Sequence, residues 1–149
     1  MQRIETDSFE FNLRPDWTYF VDGTRLVCRG ADDEELIVSV RTSKDKTGQV
    51  GHEGLDRLFQ IACSAIDETV KELGLIVIQP IGAVPNAKTP CHLVLARSPD
   101  NAVFFTQVVF LGRSGVLYAT LESSATGEHL NMLFEFIRSM RDRAAETAV

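Results

Sequence analysis

The residues of this chain that could do chemistry are a serine between glycines, three histidines and three cysteines. Gly112-Arg113-Ser114-Gly115 resembles a hydrolase nucleophile on a sharp turn. That motif needs G-x-S-x-G at a strand-to-helix turn, so that the serine hydroxyl stands exposed above the sheet. Here Val116 occupies the second position after Ser114, and the segment that follows, "VLYATLE", alternates like a strand. The stretch reads as a hairpin turn in which glycine supplies positive φ.

His52, His92 and His129 fall at neither HxH nor HxxxH spacing, so no single helix or strand presents a ready metal pair. Cys91 and His92 are adjacent, and neighbours on a strand point to opposite faces. They read as one core thiol and one surface imidazole. Cys28, Cys63 and Cys91 are odd in number and form no CxxC pair, which speaks against a disulfide framework and fits a reducing compartment. The run Asp32-Asp33-Glu34-Glu35 reads as a solvated hairpin turn, not a carboxylate pair or a metal site. Gly48, Gly51 and Gly54 precede a helix, but G-x-x-x-x-G-K-[ST] is absent, so a glycine-rich loop is expected and not a phosphate cradle. No catalytic residue, cofactor site or metal site is assigned, and the chain is expected not to be an enzyme.

The elements that would position a site are strands first. "FEFNL" places Phe9, Phe11 and Leu13 on one face and ends at Pro15. "WTYFV", "TRLVCR" and "ELIVSVRT" follow, the first two separated by the turn signal Asp22-Gly23. The polar segment 43–53 leads into a helix from Leu55 to Leu73. Its apolar stripe is Leu55, Leu58, Phe59, Ala62, Ile66, Val70 and Leu73, and Gly74 stops it. The strands "LIVIQPI", "CHLVLA", "AVFFTQVVFL" and "VLYATLE" come next. A helix from about Thr126 carries Leu130, Leu133, Phe134 and Ile137 as its stripe, capped by Thr126 or Ser124, and the tail from about residue 142 reads as frayed. Four strands, a helix, four strands and a helix, joined by short loops, predict an α+β domain spanning 1–149. Its antiparallel twisted sheet should have about six to eight strands, flanked by two main helices.

At 149 residues a single domain can bury roughly 70% of its unfolded surface. The net charge of -6 gives no help toward nucleic acid, which needs a basic face. The apolar runs are strand-sized, so no membrane insertion is expected, and the opening residues lack a basic stretch followed by an apolar one, so a cytoplasmic protein is expected.

One strand stands apart. In "AVFFTQVVFL", Val103, Phe105 and Val109 face one way, while Phe104, Val108 and Phe110 face the other. A strand apolar on both faces is central in a sheet covered on both sides, which two helices can provide, one on each face. If both helices pack on one face, the other must meet a partner. On that second reading the partner surface is Phe105, Gln107, Val109, Tyr118 and Thr120, because Gln107 and Thr120 suit a dry core poorly.

With these residues laid out, the chain resembles the PsbP-like α+β superfamily, and within it the effector-associated chaperones of bacterial type VI secretion. The likeness rests on the corner Phe11, Leu13, Pro15, Trp17, and on the amphipathic helix that follows the first half of the sheet. It rests also on "FFTQVVFL" with Gln107-Val108 and Phe110, on "VLYATLESS", and on the closing "LFEFIRSMR", spanning roughly 9–141. The resemblance implies a sheet flanked by helices, no catalysis, and a cytoplasmic protein, a homodimer among its forms, that holds hydrophobic helices of a secreted effector. The short loop "SPDNAV" and the glycine-rich segment depart from that pattern. An immunity protein that blocks a toxin and a small-ligand carrier are the alternatives. If Ser114 is only a turn residue, Ser114→Ala should leave both the thermal midpoint and any binding activity unchanged; loss of activity in a folded variant would overturn that reading.

Overall fold

The doubly apolar strand sits where its composition requires. In the computed structural model, which describes residues 1–41, 52–124 and 128–144, β8 (Val103–Leu111) lies inside a seven-stranded sheet. The sheet opens with β3 (Thr18–Asp22), β4 (Arg25–Arg29) and β5 (Glu35–Arg41), a meander of consecutive antiparallel strands. Helix α1 (His52–Glu72) then carries the chain across one face to the far edge. There β6 (Ile76–Ala83) starts a second meander that returns through β7 (Cys91–Arg97) and β8 to β9 (Val116–Ser124). Strand β9 closes the sheet by pairing with β5, Leu36 opposite Leu121 and Val38 opposite Ala119. The spatial order is β3-β4-β5-β9-β8-β7-β6.

The two helices take opposite faces, one of the two arrangements that the sequence allows. Under α1, Leu55, Ile66 and Val70 pack with Val94, Ala96, Phe105, Val109 and Val116. On the other face lie Val108, Phe110, Leu117, Ala119 and Leu121, covered by α2 (Glu128–Ser139) through Met132, Leu133, Phe136 and Ile137. The Phe136 ring meets Phe11 and Phe110 edge-on, at 5.2 and 5.7 Å between centroids.

This second face has a further layer that the sequence pattern did not announce. Two short strands, β1 (Gln2–Glu5) and β10 (Arg141–Asp142), flank β2 (Phe9–Leu13) in a three-stranded sheet. Phe9, Phe11 and Leu13 point into the core from it, as their alternation predicts. Glu10, on the opposite side of β2 and itself buried, accepts from the Arg3 guanidinium and lies 4.0 Å from that of Arg141, tying the three strands together. The tail is thus held further than expected: Arg141 pairs with Glu10, Asp142 with Phe9, and the Arg143 amide donates to the Ser8 carbonyl. The expected loop 43–53 and the cap at Thr126 fall largely outside the described residues; Gly54 lies inside α1.

Two glycine positions work differently from the expectation. The hairpin between β8 and β9 is present, with the Gly112 amide donating to the Gly115 carbonyl at 2.9 Å. Neither glycine has positive φ. They are needed for close approach: a Cβ on Gly112 would stand 2.8 Å from Cζ of Phe9, and one on Gly115 would stand 3.1 Å from the Arg41 carbonyl. The acidic run forms the expected turn, with Asp33 at φ 67° and the Glu34 carboxylate accepting from the Asp32 amide.

The corner at Trp17 is anchored from both sides. Its indole is buried in the α2-side core, and its carbonyl and that of Arg14 both accept from the Gln2 side-chain amide, at 2.6 and 2.9 Å. Trp17→Ala should therefore cost about 3–5 kcal/mol in urea unfolding. Gly112→Ala should also destabilise the protein through Phe9; an unchanged midpoint for either variant would contradict the packing described.

Candidate functional site

The five residues singled out from the sequence do share one face, but that face is not free. Phe105, Gln107 and Val109 are buried, and Phe105 and Val109 belong to the core beneath α1. Tyr118 and Thr120 are half-buried beside them. The expectation of an exposed partner surface at Phe105, Gln107, Val109, Tyr118 and Thr120 is corrected: with one helix on each face, α1 covers the patch. Gln107 solves its burial by donating its side-chain amide to the Tyr118 hydroxyl and, at 3.2 Å, to that of Thr120. Its amide oxygen has no partner among the described residues.

The other candidate chemistry is likewise enclosed. Burial alone pushes the thiols of Cys28 and Cys91 up to about 12 and about 11, away from the reactive thiolate. Cys91 lies in the α2-side core while His92 stacks edge-on against Phe59 of α1, on opposite faces as the alternation requires; the imidazole is half-buried and not at the surface as expected. Among the described residues no group of three or more His, Cys, Asp or Glu could hold a metal ion.

The arrangement that sequence reasoning missed is at His129, on the first turn of α2. Its Nδ1 is 2.7 Å from the Ser123 hydroxyl and its Nε2 is 2.7 Å from that of Thr106. A serine within hydrogen-bond reach of an imidazole is nucleophile–base geometry. Here the ring is fully buried with both nitrogens occupied, and the Phe104 ring lies 5.7 Å away. A neutral imidazole donates once and accepts once, so it satisfies the two hydroxyls as a structural clasp between α2, β8 and β9. Desolvation lowers its pKa from 6.5 to about 4.

What remains at the surface is apolar. Helix α2 presents two faces to its surroundings, and the buried one is His129, Met132, Leu133, Phe136 and Ile137. Leu130 and Phe134, expected in the core stripe, are 44% and 47% exposed. They overhang a groove of about 280 Å³ whose floor is Leu93 and Leu95 of β7 and whose far wall is Pro80, Val84 and Pro85. The groove exists because α2 sits over β9 and β2 and stops short of β6 and β7 on this face. Ile76, Val77 and Ile78 of the adjoining edge strand are also exposed. A signal for this site was present in the sequence. Leu130, Met132, Leu133, Phe134, Phe136 and Ile137 span roughly 200° of helix at about 100° per residue, more than a single buried stripe requires.

A seven-stranded antiparallel sheet with a helix on each face and a small sheet beside one of them is the PsbP-like α+β fold. Among solved structures, the chain is similar to the solution structure of cyanobacterial PsbP (CyanoP) from Synechocystis sp. PCC 6803. The TM-score is 0.64 at 16% identity, covering 95% of this chain and 91% of that one. It is similar also to LpqN of Mycobacterium tuberculosis, a protein involved in cell envelope biogenesis, with TM-score 0.60, 10% identity, and 93% and 88% of the two chains covered. A Bacteroides thetaiotaomicron protein matches with TM-score 0.55 at 14% identity over 91% of this chain and 45% of its own. No protein-family model and no curated protein matches the sequence. The likeness is one of fold.

His129 gives this site a measurable signature. Neutral in the folded protein down to about pH 4, the ring would take a proton below 6.5 once unfolded. Between those values the unfolded chain binds more protons, so stability rises with pH and falls on acidification, by about 3 kcal/mol in all. Urea unfolding from pH 7 to 4 should show this slope, and His129→Gln should flatten it; an equal slope in both proteins would contradict the buried neutral ring.

Proposed function

We propose that the protein is a non-catalytic protein-binding module whose groove beside α2 takes an apolar segment of a partner protein. The observation that carries this reading is the exposure of Leu130 and Phe134 above a groove floored by Leu93 and Leu95. A helix that buries one apolar face and displays a second leaves a contiguous patch of the kind that marks interaction sites. Aromatic and aliphatic anchors beside a concave surface are typical of binding hot spots. The PsbP-like fold supports an accessory or binding role. At its finest, the reading is a cytoplasmic adaptor or chaperone for a secreted effector of the type VI kind, supported by the sequence resemblance and by a groove that suits the side chains of an apolar helix. An immunity protein is the alternative with the same partner class. The cleft of about 510 Å³ between β1 and the β3–β5 strands, with Ile4, Tyr19, Leu26 and Val38 in its walls, favours a small-ligand carrier as the second reading.

Because Phe134 is exposed, Phe134→Glu should unfold within about 0.5 kcal/mol of the parent. It should lose the protein that the parent retains from an extract of the native cell, whereas Phe136→Glu should fail to fold. Undiminished retention by folded Phe134→Glu and Leu130→Glu variants would refute the groove. A retained toxin held by its catalytic part would favour the immunity role over the chaperone.

A further inference from the structure

On the sheet face beneath α1, the helical cover ends before the sheet does. The helix packs over β6, β7, β8 and β9 and stops short of β5. Its inner stripe, Leu55, Ile66 and Val70, is occupied by β8 and its neighbours. A second row, Leu58, Ile61, Ala62 and Ala65, falls at i, i+3, i+4 and i+7 and so shares one side of the helix. With Val116 and Tyr118 of β9 and Ser39 and Arg41 of β5, this row lines a cavity of about 350 Å³. That is the size of a small-molecule site. The room comes from short side chains, since two of the four helix residues are alanines. Ile61, at the rim, is 59% exposed.

One end of the cavity is polar. Ser39 and Arg41 are two apart on β5 and therefore on one face, opposite Tyr118 and Val116 of β9. The register of β4 puts Arg25 and Arg29 on that same face, opposite Ser39 and Glu35. Of the three arginines that β4 and β5 place there, two are neutralised: Arg25 by Asp22 at 3.1 Å and Arg29 by Glu35 at 3.6 Å. Arg41 has no carboxylate and the Ser39 hydroxyl no hydrogen-bond partner among the described residues. In a chain of net charge -6, the uncompensated guanidinium stands at the mouth of an apolar pocket. The Tyr118 wall is fixed in advance, because the Gln107 side-chain amide donates to its hydroxyl.

We propose that this pocket binds a small amphipathic monoanion, a carboxylic acid with an apolar body. The body lies against the α1 row and the Tyr118 ring, and the carboxylate meets Arg41 and the Ser39 hydroxyl. A guanidinium takes a carboxylate through two parallel hydrogen bonds, and one uncompensated cation calls for one negative charge. An inorganic anion would leave the apolar walls in water. A neutral apolar molecule would cover those walls and leave the guanidinium without a counter-charge. Only a ligand with both parts uses both ends of the cavity. The site is independent of the groove beside α2 and of the cleft beside β1. Leu93 and Leu95 of the groove, and Leu26 and Val38 of the cleft, lie on the opposite face of the sheet.

The test uses the full chain and three probes at neutral pH: octanoate, octanol and acetate. In an NMR titration octanoate should move the amide resonances of Ser39, Arg41, Ala62 and Tyr118. Octanol, without the charge, and acetate, without the body, should each bind about tenfold more weakly or worse. Arg41 is exposed, so Arg41→Gln should keep the thermal midpoint. It should lose about tenfold in octanoate affinity and leave octanol binding unchanged, a split that loss of packing alone would not produce. Ala62→Leu should weaken octanoate and octanol alike; Ala65→Leu, at an exposed position, repeats the test should Ala62→Leu lower the midpoint. Phe134→Glu, on the other face, should bind octanoate as the parent does, so failure of the α2 groove and failure of this site are read apart. Absence of octanoate binding overturns the proposal, as does equal octanoate affinity in Arg41→Gln. Shifts gathered at Leu93 and Phe134, or at Tyr19 and Leu26, overturn it in favour of the groove or the cleft.

Discussion

The structure depends on one constraint: β8 is apolar on both faces and must be covered on both. The structure meets it with α1 on one side and α2 together with β2 on the other. After the first meander the chain must reach the far edge of the sheet, and α1 does so while covering Phe105 and Val109. The return meander must then bring β9 back against β5, which makes β8 and β9 interior strands. Only after that can α2 fold over the opposite face and meet Val108 and Phe110. Helix α1 is the crossover that joins β5 to the far edge, because parallel strands of one sheet need a long connection, while α2 leads from β9 to β10 of the small sheet.

The polar residues inside this core follow from the same constraint. A strand buried on both faces has no solvent side on which to place Thr106 and Gln107, so each must find a partner within reach. Thr106 finds His129 of α2, which in turn finds Ser123 of β9. Gln107 finds Tyr118 and Thr120 on the neighbouring strand, beside α1. One polar cluster thus lies under each helix. Each also selects register, because a slip by one residue would exchange the two faces and strand both clusters among apolar side chains. The burial that makes Ser123 and His129 resemble a catalytic pair also shuts them from any substrate.

Most of the architecture was legible because it rests on periodicity. The alternation of Phe9, Phe11 and Leu13, the stripe Leu55, Ile66 and Val70, and the hairpin after Leu111 are all local signals that tertiary packing confirms. What was not legible depends on contacts distant in sequence. Strands β1 and β10 are too short to show a period, and they exist because β2 offers an edge on each side. The close approach of Gly112 to Phe9 joins residues that no local pattern relates. The choice between a covered and an open face of β8 was posed by the sequence. It could not be decided there, because amphipathic helices state which of their own faces is apolar and not which side of the sheet they take.

The α2 stripe shows how the surface proposed for binding hides in such a reading. Leu130 and Phe134 fit the helical period as well as Leu133 and Ile137 do, so composition alone assigns all four to the core. The core, however, has a fixed width, set by the sheet beneath and by β2 alongside. Once His129, Met132 and Phe136 take their places there, the apolar arc is wider than the space available, and its excess emerges at the rim above Leu93 and Leu95. Apolar surface left over after a core is full has no folding role. Exposed at this cost to solubility, it is the surface that the proposed binding role would explain.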